Sequence, residues 1–136
     1  MPNQRLLDLI LEAMGDEKHD AEKYLRMMGM TSSEQIREQI KFAYDDEGRH
    51  YEMFQQLYYD LTGEMKDVPT PPVKMAKTLL GNVKTSINGE LAAVEMYGEI
   101  YSLLDDKAQR DMVLSIIQDE QEHATRFVYV YAMLRK

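Results

Sequence analysis

The stretch Asp45 to Phe54, DDEGRHYEMF, sets Glu47 and His50 three positions apart, and Asp119 to Phe127, DEQEHATRF, repeats the pattern with Glu120 and His123. On a helix, residues three or four apart share a face, so each stretch presents a carboxylate and an imidazole side by side. Phe54 and Phe127, each four residues beyond its histidine, fall on that same face. A carboxylate and an imidazole beside an aromatic residue suggest metal ligation from within a core. A lone Glu-x-x-His is usually a surface pair, so the second copy and its surroundings carry the argument.

Laying residues 13–54 over 86–127, a shift of 73, aligns Glu17 with Glu90, Glu22 with Glu95, Tyr24 with Tyr97 and Arg37 with Arg110. It also aligns Asp46 with Asp119, Glu47 with Glu120, His50 with His123 and Phe54 with Phe127. The matches form two complete copies of one pattern: a Glu with a Tyr seven later, then Asp-Glu-x-x-His with a Phe four beyond the His. Glu17 stands 30 residues before Glu47, and Glu90 stands 30 before Glu120, with a turn expected midway in each case, near Ser32 and Asp105. At ~1.5 Å per residue the chain climbs and returns by equal amounts, so each hairpin brings two glutamates and one histidine to the same height.

The elements that must position these groups are legible from periodicity. Apolar residues recur every three or four positions over four long segments, and proline is confined to Pro2, Pro69, Pro71 and Pro72, which predicts an all-α protein. The first helix is expected from Asn3 to Gly29. Thr31, with Glu34 three later, forms a capping-box signature for the second, which reaches about Leu61 before Gly63. GEMKDVPTPP breaks the pattern; a third helix follows from about Lys74 to Leu104, with an irregular start because Gly81 lies in it. Asp105 and Asp106 are expected to cap a fourth helix running almost to Lys136.

The glutamates interrupt apolar stripes. Leu6, Ile10, Ala13, Ala21, Tyr24 and Met28 are in register with Glu17; Ile36, Ile40, Ala43 and Phe54 with Glu47; Val83, Ile87, Val94 and Tyr97 with Glu90; Val113, Ile116, Phe127, Val130 and Leu134 with Glu120. Four buried carboxylates without compensating charge would strongly destabilise a bundle. Two divalent cations answer the need, since four carboxylates and two neutral imidazoles cancel their charge. Oxygen ligands with one nitrogen per metal suit two iron ions, or manganese as the alternative, better than zinc.

Composition narrows the field further. At 136 residues, 44% of them hydrophobic, the chain is expected to be a single domain, 1–136, made of two pseudo-repeats of about 3–62 and 74–136. A net charge of −8 and a pI near 4.9, with no dense Lys/Arg cluster, argue against nucleic acid or an anionic membrane as partner. The lack of cysteine excludes disulfides, zinc ribbons, iron–sulfur clusters and a thiol nucleophile. Asp8 and Glu12 interrupt the N-terminal apolar residues, unlike a signal peptide, and no apolar stretch reaches the length of a membrane span; a cytoplasmic protein is expected.

Preceded by Glu17 and Glu90, the two DE-x-x-H-x-x-x-F copies resemble the ligand helices of the rubrerythrin-like branch of the ferritin-like di-iron proteins, from Glu17 to Phe127. The resemblance implies a ferritin-like left-handed four-helix bundle with a long crossover between the second and third helices, from Gly63 to about Lys77, which makes those helices parallel. Such a segment can reach ~45 Å, about the length of the bundle. It also implies a di-iron oxidoreductase acting on hydrogen peroxide or dioxygen, with Glu17, Glu47, His50, Glu90, Glu120 and His123 as metal ligands. Two departures stand out. Full-length rubrerythrins carry a rubredoxin domain whose iron is held by four cysteines, absent here, so electrons would come from a separate electron-transfer protein. Rubrerythrins also place a second carboxylate three residues after the first on the third helix, where this chain has Ala93; the repeat counterpart of that position is Asp20, a candidate extra carboxylate.

The alternative is a ferritin-type protein that takes ferrous iron as substrate, oxidises it and passes it to a store. Ferritin cages often use a fifth helix, and none follows the fourth here, so a homodimer is expected. Tyr24 and Tyr97 are either core filler or phenol donors to ligand carboxylates, and Asp46 and Asp119 are either exposed or acceptors of a ligand histidine's ring N–H. His19, two residues from Glu17, is expected to face solvent. The eleven methionines are read as core packing. The run Phe127 to Leu134 is apolar all round, which suggests a subunit interface with Tyr129 and Tyr131 facing a partner.

Overall fold

The computed structural model describes residues 3–136, which form four helices: α1 (Gln4–Met28), α2 (Glu34–Thr62), α3 (Leu79–Leu103) and α4 (Lys107–Leu134). Each helix starts at a polar residue whose side chain accepts from an otherwise unpaired backbone N–H. Asn3 accepts from Leu6, Ser33 from Ile36, Thr78 from Gly81 and Asp106 from Gln109. The expected capping box is therefore displaced. Ser33 is the cap, Thr31 Oγ1 accepts from the Ser33 amide at 3.1 Å, and Glu34, at the first helical position, pairs with Arg37 instead of reaching back.

The third helix begins at Leu79, five residues later than expected, and buried Asn82 explains why. Its side chain accepts from the Ala76 amide at 2.8 Å and donates to the carbonyls of Ala76 and Thr78 at 3.2 and 2.9 Å, holding residues 76–78 outside the helix. A Cβ on Gly81 would meet Ala76 Cβ at 3.0 Å, so glycine is what lets this corner close. Gly63 ends α2 in the left-handed region, φ 75°, with its N–H donated to Tyr59 O.

α1 packs on α2 and α3, and α4 packs on α3 and α2, leaving α1/α4 and α2/α3 as diagonals. Arg5 reaches Glu99 at one end of the α1/α3 pair and Lys23 reaches Thr85 at the other, so these helices are antiparallel. α2 and α3 therefore run in the same direction, and residues 64–78 must travel the length of the bundle between them. The crossover lies over the α1/α2 hairpin. Gln55 Nε2 donates to Lys66 O at 2.6 Å, Lys18 Nζ to Val68 O at 2.6 Å, Tyr51 Oη accepts from the Val68 amide at 3.1 Å and donates to Asp67, and Pro71 packs near Gly15.

The core divides in two. One cluster gathers Leu6 to Met14, Phe54 to Tyr58, Tyr97 to Leu104 and Val113 with Ile116; the other gathers Tyr24 and Met27, Ile36 to Ala43, Leu79 with Val83, and Phe127 with Val130. Between them, at mid-height on every helix, lies a buried polar layer. Met27, not Met28, fills the core on α1, and Ile100, not Val94, on α3, while Ala21, Ile87 and Leu134 are only half-buried. At the end of α4, Val128 and Tyr129 are exposed, but Tyr131 packs on the second core cluster and Tyr129 Oη accepts from Gln35 Nε2 at 3.0 Å, so both tyrosines make contacts within the chain. No described helix is long and apolar enough to cross a membrane.

Candidate metal centre

The buried polar layer contains Glu17, Glu47, His50, Glu90, Glu120 and His123, each no more than 1% exposed. Helical periodicity delivers them there: each occupies the core-facing register of its helix, flanked by the apolar residues that drive that face inward. Their ligand atoms form two groups, Glu17, Glu47, His50 and Glu120 in one and Glu47, Glu90, Glu120 and His123 in the other, with all atoms of a group within 4.8 Å of one another. Glu47 and Glu120 belong to both groups. The two imidazole rings stack with centroids 6.0 Å apart.

Each histidine uses its two nitrogens differently. His50 Nε2 lies 2.8 Å from Asp119 Oδ2, and His123 Nε2 lies 2.7 Å from Asp46 Oδ2. An ionised aspartate can only accept, so each Nε2 carries its proton and each Nδ1 turns inward. There His50 Nδ1 lies 3.0 Å from Glu120 Oε1, and His123 Nδ1 lies 3.1 Å from Glu47 Oε1. These are ion-pair separations without hydrogen-bond alignment: both Nδ1 atoms are buried with no hydrogen-bond partner. Glu17 Oε2, both oxygens of Glu47, Glu90 Oε2 and both oxygens of Glu120 share that condition. Eight inward-facing nitrogen and oxygen atoms on six side chains are a donor set that fits two metal ions.

Two buried tyrosines complete the layer. Tyr24 Oη donates to Glu90 Oε1, and Tyr97 Oη donates to Glu17 Oε1 at 2.6 Å. Burial, followed by the neighbouring glutamates, pushes both phenols well above the usual 10, so they remain donors. Tyr24 packs on Phe127 at 5.0 Å and Tyr97 on Phe54 at 4.9 Å, one pair on each side of the layer. Both bonds cross from one hairpin to the other, as do both His–Asp bonds.

The electrostatics of the layer without a cation are unfavourable. Burial and then Glu17 and Glu120 push the Glu47 carboxyl well above its ordinary range, and burial with Glu120 raises Glu90 to about 8. Burial would lower both imidazoles, yet the surrounding carboxylates lift His50 to about 11, and Asp46 with Glu90 lifts His123 to about 10. Burial and like charge thus favour neutralisation of this layer, by protons or by cations.

No family model matches the chain, and neither does any curated protein. Solved structures do. A hypothetical protein from Pyrococcus furiosus is 18% identical over 95% of this chain and 89% of its own, with a TM-score of 0.85. A bacterioferritin from Desulfovibrio desulfuricans, described with its diiron site in different catalytic states, is 20% identical over 97% of this chain and 81% of its own, with a TM-score of 0.82. The fold is ferritin-like. In this ferritin-like bundle, Asp20 lies outside both ligand groups: its Oδ1 pairs with His19 Nδ1 at 2.9 Å, and it lines a groove between α1 and α3 with Glu12 and Asp16 facing Gly89, Ala92 and Ala93. His19 keeps 31% of its side chain exposed while pairing with Asp20, so it is partly turned to solvent.

Sequence reasoning overlooked two groups near the layer. Lys23 is buried and donates to Thr85 Oγ1 at 2.7 Å; burial lowers its pKa. Arg49 contacts Asp46 at 2.8 Å and Asp119 at 3.3 Å. Burial alone would raise Asp46, but His123 and Arg49 hold its carboxyl below the ordinary value. The signal for Arg49 was its place between Glu47 and His50; what hid it was that its contacts lie on two helices.

Proposed function

We propose that this chain is a rubrerythrin-like di-iron oxidoreductase that reduces hydrogen peroxide or dioxygen, using electrons from a separate protein. Glu17, Glu47, His50, Glu90, Glu120 and His123 would hold the two iron ions. The observation that supports this best is the set of eight buried, partnerless side-chain nitrogen and oxygen atoms that, among the described residues, are confined to those six side chains. Four carboxylates and two neutral imidazoles balance two divalent charges, which removes the cost of burying them. When bound, the iron pair supplies the two electrons that, with two protons, turn one peroxide into two waters.

The chain's own residues prepare that chemistry. Glu47 and Glu120, each belonging to both candidate groups, would serve both metal positions. Tyr97 and Tyr24 keep their protons on Oη and fix one oxygen each of Glu17 and Glu90, leaving the second oxygen free to face a cation. Asp46 and Asp119 hold the Nε2 protons, so both Nδ1 lone pairs are available. The Phe–Tyr pairs on either side limit access of bulk water. The reading extends to a single-domain cytoplasmic homodimer.

Likeness to a bacterioferritin favours a second reading, in which the same six residues oxidise ferrous iron for storage. Metal analysis of isolated protein, then anaerobic mixing of the ferrous form with peroxide and separately with oxygen, decides between them. The first reading expects about two irons per chain and faster oxidation by peroxide. Preference for oxygen with many irons retained per chain, in a large assembly by sedimentation, would replace it with the second. Protein from a metal-replete host that carries neither iron nor manganese and binds neither on reconstitution would end both.

A further inference from the structure

One arginine touches both halves of the candidate centre. Arg49 Nη2 is 2.8 Å from Asp46 Oδ1 and 3.3 Å from Asp119 Oδ2. Asp46 Oδ2 is 2.7 Å from His123 Nε2, and Asp119 Oδ2 is 2.8 Å from His50 Nε2. Two short chains of contacts thus diverge from a single guanidinium nitrogen of the exposed Arg49, and each ends on a fully buried imidazole. The repeat offers no second copy of this device. The position matching Arg49 in α4 is Glu122, which accepts from Arg126 and contacts neither aspartate.

We propose that Arg49 is a positioning residue for both metal positions at once, acting on His123 through Asp46 and on His50 through Asp119. The inference rests on the metal-centre reading above. The two aspartates face each other across the α2/α4 seam, and both reach one guanidinium nitrogen, so their like charges oppose the arrangement that the histidines require. A cation between them reverses that repulsion, and a guanidinium supplies directed N–H groups as well as charge. With the aspartates held, each imidazole keeps its Nε2 proton and its ring orientation, and each Nδ1 stays aimed inward. Without Arg49, both carboxylates are free to turn toward water, and both rings lose their anchor together. Exposed ion pairs usually contribute little to stability, so Arg49 matters through ligand geometry and not through folding.

The test uses the full chain as wild type, Arg49→Gln, Arg49→Lys and Glu122→Gln, with urea unfolding to establish that all four fold. In metal-free protein, nitrogen-15 NMR of the imidazoles reads the two Nε2–H···Asp bonds directly. In a second measurement, cobalt(II) is titrated anaerobically and followed by its visible absorption. Arg49→Gln is expected to shift or broaden both ring N–H signals and to weaken both cobalt steps by about tenfold or more. Arg49→Lys should recover part of each effect, and Glu122→Gln should match wild type. Unchanged ring signals and unchanged cobalt affinity in Arg49→Gln overturn the proposal, as does a change confined to one histidine. If wild type binds no cobalt, the metal-centre reading fails on its own account, while the ring signals still decide whether Arg49 positions the imidazoles.

Discussion

Glu47 and Glu120 are the two carboxylates common to both candidate ligand groups, so on the proposed reading each would serve both metal positions. In the metal-free chain Glu47 is fully buried among Glu17, Glu90 and Glu120, and its pKa is raised well above the ordinary carboxylate range by burial and then by those neighbours. Replacing it with glutamine removes one of four crowded acids. Metal-free Glu47→Gln should therefore be no less stable than wild type, because glutamine relieves the crowding of four buried acids that raises this carboxyl. Metal reverses the sign. In saturating manganese(II), wild type should gain stability and Glu47→Gln should gain far less, because both metal positions lose a shared ligand. Urea unfolding of both proteins with chelator and with manganese checks this, and a Glu47→Gln protein that is weaker than wild type in chelator contradicts it.

At the scale of the helices, the residues that could be read from the sequence were those whose position depends on one helix at a time. The shift of 73 and the equal 30-residue spacings needed only helical rise, and the structure brings those six side chains to one layer. What could not be read was pairing across helices. Tyr24 belongs to the same helix as Glu17 but donates to Glu90, and Asp46 precedes Glu47 but accepts from His123. Periodicity assigns a face and a height, whereas partner choice depends on which faces meet. Gly81 announced an irregular start to α3, but not its cause, since Asn82 holds residues 76–78 only once the chain has turned back on itself. The crossover is fixed by similar contacts, and they are testable. Tyr51 Oη takes the Val68 amide proton and gives its own to Asp67, so Tyr51→Phe removes both bonds while leaving the ring under Lys18. Amide exchange at Val68 should accelerate at least about tenfold with a global stability loss of about 0.5–1.5 kcal/mol. Core amides of α1 and α4 should exchange as before. An unaltered Val68 amide would mean that Lys18 and Gln55 alone secure the crossover.

For the whole molecule, a charged layer divides the apolar core into two clusters, so the stability of the bundle depends on what neutralises that layer. Without metal, protons would have to do it. His50 and His123 titrate at about 11 and about 10 in the folded chain against 6.5 unfolded, and Glu90 at about 8 against 4.5. A raised histidine stabilises fully below its unfolded value and loses that contribution as pH climbs to its folded value. A raised glutamate acts in the same direction, because the unfolded chain ionises first and stability is lost between the two values. All three groups make the folded state hold more protons than the unfolded state across the neutral range. Metal-free protein should therefore be most stable near pH 5, weaker at pH 7 and weaker again at pH 9, opposite to a protein stabilised by ordinary carboxylate ion pairs. Metal competes with those same protons, so its binding strengthens as pH rises. At 100 times the dissociation constant a bound ion adds about 2.7 kcal/mol. The gap between manganese-loaded and chelated unfolding midpoints should accordingly widen from pH 5 to pH 9. Midpoints in chelator that stay level or rise with pH would show that the layer is not protonated in this way, and that these side chains tolerate burial for a reason other than the exchange of protons for metal.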